Sequence, residues 1–119
     1  MENVIQAMLL LMAMQHLLFL GFEMFGWQRF GPRLFKRKSP DFFKQTRALM
    51  ANQGLYNGFL AAGLLWAFWA DDAVLARDLT IFFCSCVAAA GWFGGSSVSK
   101  MIWAVQALPA VITLLLLWW

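Results

Sequence analysis

Four long apolar stretches separated by short polar segments organise this chain. The first, residues 4–27, is mostly apolar and holds Gln15, His16 and Glu23 in its interior. Residues 28–38 form a basic connection. Ser39-Pro40-Asp41 has the residue types of a helix start, with Ser39 as N-cap and Pro40 in the first helical position. A second helix is predicted over 39–69, opening with an amphipathic turn that carries Phe42 and Phe43 and turning apolar near Leu49. Ala70-Asp71-Asp72 is a short acidic connection. A third helix is predicted over 78–97, with Gly94-Gly95-Ser96-Ser97 as its soft end, and a fourth over 101–119. Pro109 lies inside the fourth and should kink it locally. These runs do not alternate as barrel strands do, and about 20 mostly apolar residues cross the hydrocarbon core. The expected fold is all-α: a four-helix transmembrane bundle forming one integral membrane domain over residues 1–119.

Composition strengthens the membrane assignment. The chain has 119 residues, 62% hydrophobic and only 13% charged, more apolar surface than a soluble domain of this size can cover. The first apolar run is too long for a signal-peptide core and is preceded by Glu2 where a signal carries basic residues. Cys84 and Cys86, two apart on a predicted helix, point in different directions, so no disulfide is expected between them.

Charge adds a direction. Arg29, Arg33, Lys36, Arg37, Lys38, Lys44 and Arg47 lie between the first two spans, and Lys100 lies between the last two. Arg77 alone lies in the other connection, among Asp71, Asp72 and Asp78. Eight of the nine basic residues thus share one side, which the positive-inside rule makes cytoplasmic. The expectation is a multi-pass protein of the cell membrane, with both termini outside and the 28–47 segment in the cytoplasm. Trp27 and Trp103 then mark the inner interface; Trp66, Trp69, Trp118 and Trp119 mark the outer one. The basic 29–47 segment should meet anionic lipid headgroups, and no nucleic-acid partner is expected.

Small residues recur four apart at Gly54, Gly58 and Ala62, and again at Gly91 and Gly95, with Ala88 beside them. Such stripes let helix backbones approach closely, within one chain or, alternatively, between copies in a homo-oligomer.

The polar residues inside the spans are the candidate site. On the first helix these are His16 and Glu23, seven apart and so on one face. The second helix supplies Asn52, Gln53, Tyr56 and Asn57, with Arg47 at its entrance, and the fourth supplies Gln106. With the expected topology they all fall in the cytoplasmic half. Ionisable groups at that depth are costly and usually face the bundle interior or a wet cavity. Two arrangements are open. Glu23 can pair with Arg47 or Lys44 while the amides hydrogen-bond between helices, or the group can line a polar pocket. Met8, Met12 and His16 are four apart, and thioether with imidazole would suit Cu(I). Methionine stripes are more often packing filler, so no metal and no cofactor is predicted.

The segment Ala51-Asn52-Gln53-Gly54-Leu55-Tyr56-Asn57-Gly58-Phe59-Leu60-Ala61-Ala62-Gly63 resembles the central signature of the domain of unknown function 1304 family of small membrane proteins. His16, Glu23-Met24-Phe25 and Val105-Gln106-Ala107-Leu108-Pro109-Ala110 extend the resemblance over nearly the whole chain. It implies four spans and supplies no catalytic residue. Arg47-Ala48 and Asn52 also echo, more weakly, the membrane-associated glutathione-dependent enzymes, although Tyr56 stands where those carry an acid. The functional expectation is binding or transport of a small solute, with Glu23 and His16 as proton-linked groups. The alternatives are a membrane-embedded enzyme acting on a lipophilic substrate, with Tyr56 or His16 as acid or base, and a non-catalytic scaffold.

Overall fold

The computed structural model describes residues 1–119 and is helical throughout, apart from short connections, with no strand. We number the helices α1 (Glu2–Leu34), α2 (Pro40–Gln45), α3 (Arg47–Trp69), α4 (Ala73–Ser97) and α5 (Trp103–Leu116). α1 and α4 are long and apolar enough to cross a membrane, and α5 is a shorter apolar helix. The chain divides into two compact units, one formed by residues 1–14 with 60–119 and the other by residues 15–59.

The first unit holds the apolar core. Leu9, Met12 and Ala13 of α1, Leu64 and Ala67 of α3, Cys84 and Val87 of α4, and Ala110 of α5 are all buried in it. Both cysteines are free. Close helix contact depends on missing side chains. A Cβ on Gly91 would lie 2.5 Å from the Ala107 nitrogen and 2.8 Å from its Cα, so α4 and α5 touch backbone to backbone. One turn on, Gly95 lies under the Trp103 ring, whose Nε1 donates to the Trp92 carbonyl at 3.1 Å. The Phe83 ring fills the space beside Gly63. Near the chain end Arg77 donates to the Leu117 carbonyl at 3.1 Å, its guanidinium 5.2 Å from the Trp118 ring centre.

α4 begins five residues earlier than the apolar pattern indicates, at Ala73 instead of 78. The cause is Asp72, whose carboxylate accepts from the Leu75 amide at 2.8 Å and so caps a helix end that an acidic group also favours electrostatically. Asp72→Ala should lower stability by about 1 kcal/mol and fray this first turn, readable by amide exchange at residues 73–77. α5 accommodates Pro109 with a wide π turn over Trp103–Ala107, and the Thr113 hydroxyl donates to the Pro109 carbonyl at 2.8 Å. It ends at Leu116, short of the 119 expected.

The second unit is a helical hairpin. α1 does not stop at 27 but continues to Leu34, after a π turn over Phe22–Gly26. The reason is amphipathic: Trp27 and Gly31, four apart, are buried, while Gln28, Arg29 and Arg33 are exposed. The connection shrinks to residues 35–39. Ser39 caps α2, its hydroxyl oxygen 3.4 Å from the Phe42 amide. The predicted 39–69 helix is broken at Thr46, which separates α2 from α3.

A carboxylate and an amide in the helical hairpin

Glu23 occupies the π turn of α1, half-buried, and Asn57 is buried on α3. The Asn57 Nδ2 donates to Glu23 Oε2 at 2.8 Å. Glycines allow this approach. A Cβ on Gly54 would lie 2.8 Å from Met24 Cγ and 3.2 Å from the Leu20 carbonyl oxygen, and one on Gly58 would lie 2.6 Å from Leu20 Cδ1. Asn57 sits between these two glycines, on the face that meets α1. The expected pairing of Glu23 with Arg47 or Lys44 is not what forms: its partner is an amide, and both cations are exposed.

Two turns before Glu23, His16 is fully buried, with Phe19 edge-on to its ring at 5.7 Å. Past the π turn, the Trp27 Nε1 donates to the Thr46 hydroxyl oxygen at 2.9 Å. The Thr46 hydroxyl in turn donates to the Phe42 carbonyl at 2.7 Å. Phe35, Phe42 and Phe43 surround Trp27 at 5.2–6.3 Å between ring centres, and Phe43 fills the space beside Gly31. Sequence reasoning assigned Trp27 to the interface and missed Thr46. Its only signal was a hydroxyl residue three positions before the apolar run that starts near Leu49.

The remaining candidates separate. Asn52, Gln53, Tyr56 and Arg47 are exposed, Tyr56 at 59%, with its ring against Phe59. Gln106 is partly buried in the π turn of α5 and belongs to the first unit. Arg47 borders an open groove of about 290 Å³ with Met24, Phe25, Trp27 and Gln28. Thus the hairpin presents one carboxylate, one buried imidazole and one amide along facing helices. A carboxylate accepting a single amide hydrogen bond keeps an oxygen able to take a proton or a ligand donor.

Together these features define a small all-helical protein with two helices long and apolar enough to cross a membrane, the first of which carries His16 and Glu23. The chain matches a family profile over residues 10–118 and belongs to DUF1304, described as proteins of unknown function. The matched span includes all the polar positions above. Neither the curated proteins nor the solved structures contain a match.

Proposed function

We propose that α1, α3, α4 and α5 all cross the bilayer as one bundle, with both termini outside, and that the protein carries a small solute through its cytoplasmic half, coupled to a proton. α3, at 23 residues, is about 34 Å long, enough to cross a hydrocarbon core of about 30 Å. The distribution of basic residues supports the direction.

The observation that carries the functional part is the Glu23–Asn57 hydrogen bond at 2.8 Å. An ionisable group on a membrane-crossing helix is expensive, and such groups usually serve ion, proton or substrate pathways. His16, buried on the same helix, offers a second proton site about 10 Å away along the axis. A carboxylate and an imidazole in series can pass a proton as a solute binds and leaves.

Glu23→Ala and His16→Ala, expressed separately, should each abolish uptake, efflux or resistance conferred by the native protein across a panel of small solutes. Each variant is first shown to be folded by its elution profile in detergent. Unchanged solute handling by either folded variant sinks the proposal.

A further inference from the structure

The hairpin unit contains five glycines, and four of them are explained by packing. A Cβ on Gly26, Gly31, Gly54 or Gly58 would come within 3.0 Å of a neighbouring side chain. Gly21 is different: a Cβ there would meet nothing within 4 Å. Nothing in the protein fills the notch that this glycine leaves on α1.

The notch opens into an apolar groove of about 360 Å³ whose walls include Leu17, Leu18, Phe22, Phe25 and Phe30. Phe25 also lines the second groove, where the Arg47 guanidinium and the Gln28 amide stand beside Trp27. The two grooves therefore adjoin along α1, spanning Leu17 to Phe30, about 20 Å of helix. The apolar end lies toward the middle of the span and the cationic end toward Leu34. Arg29 and Arg33 add charge at that end, their guanidinium carbons 5.2 and 5.8 Å from the Phe30 ring centre. From residue 24 to residue 40 the sequence has no acidic side chain to neutralise them.

An apolar track that ends in a guanidinium and an amide, where α1 meets the basic connection, is complementary to an anionic amphiphile. We propose that it binds one anionic phospholipid of the surrounding bilayer. An acyl chain lies over Gly21 between Leu17, Leu18 and Phe25, and the phosphate is held by Arg47 with Gln28. The site does not depend on solute transport, and solute assays do not read it.

The test uses the full chain purified in detergent and offered phosphatidylglycerol or phosphatidylcholine with the same acyl chains, with bound lipid counted by native mass spectrometry. The native protein should retain phosphatidylglycerol preferentially. Arg47→Gln should cut that preference about fivefold, the weight of one basic residue near an anionic headgroup. Lys36→Gln, outside the track, should leave it unchanged. Gly21→Leu, whose Cβ would meet no protein atom within 4 Å and whose fold is checked by its elution profile in detergent, should weaken retention of both lipids by filling the notch. Excess inorganic phosphate should displace neither. Native retention in Gly21→Leu would overturn the proposal. A Lys36→Gln loss equal to that of Arg47→Gln would also overturn it, by showing diffuse surface attraction. Displacement by inorganic phosphate would do so too, by showing a site for free anions.

Discussion

Gly91→Ala, a change of one methyl group, is expected to destabilise the protein by about 2–3 kcal/mol, at the upper end of what overpacking costs. The added Cβ would sit 2.5 Å from the Ala107 nitrogen and 2.8 Å from its Cα. A side chain in that position could rotate away, but backbone cannot. Relief would require α5 to move off α4, loosening Gly95 from Trp103 as well. The comparison is Gly21→Ala, where the same methyl meets nothing and replaces the poorer helix former, so stability should hold or rise by up to about 1 kcal/mol. Thermal unfolding of both variants in one detergent measures the difference. Equal melting temperatures would show that the α4–α5 contact is looser than its backbone geometry.

Changes at Glu23 and Asn57 should separate stability from activity. Glu23→Gln keeps an oxygen able to accept from Asn57, so the fold should survive, while the proposed proton coupling predicts that solute transport is lost with the titratable group. Asn57→Leu leaves a half-buried carboxylate without its donor and should cost about 1–3 kcal/mol. Replacing both, Glu23→Leu with Asn57→Leu, removes the unsatisfied group and should recover most of that stability without recovering transport. Unfolding and uptake measured on the same preparations give the two readouts. Transport by the double variant would make the pair a structural fastener alone.

Much of this was legible in the sequence because lipid-length apolar runs are hard to mistake. The helical class follows directly from them, as do α1 and α4 as membrane-crossing candidates. Helix ends were less legible, because local chemistry overrides the apolar pattern there. Asp72 starts α4 before its apolar run begins, and Trp27 with Gly31 carries α1 into what reads as a basic loop. The π turns have no simple residue signature; one lies just ahead of Pro109 and the other holds Glu23.

The candidate site was legible as a set of residues but not as an arrangement. Polarity identified Asn52, Gln53, Tyr56 and Asn57 together, yet only Asn57 faces α1. The glycines held the missing information. Asn52 and Tyr56 each precede a packing glycine by two positions, about 200° around the helix, and so point away from α1. Asn57 is three positions past Gly54 and falls on the contact face. In a helix that apolar residues cover on most sides, the small residues mark which side faces a neighbour.

Each π turn also stores one residue more than a regular α turn holds. Elsewhere in a long helix, losing a residue would rotate everything beyond it by about 100° and scramble every contact. Within Phe22–Gly26 or Trp103–Ala107 the loss can be absorbed by tightening to ordinary winding. These two segments are therefore where the chain can change length by one residue and keep the rest of its helices in phase. For Phe22–Gly26, the side chain moved by such a change would be Glu23.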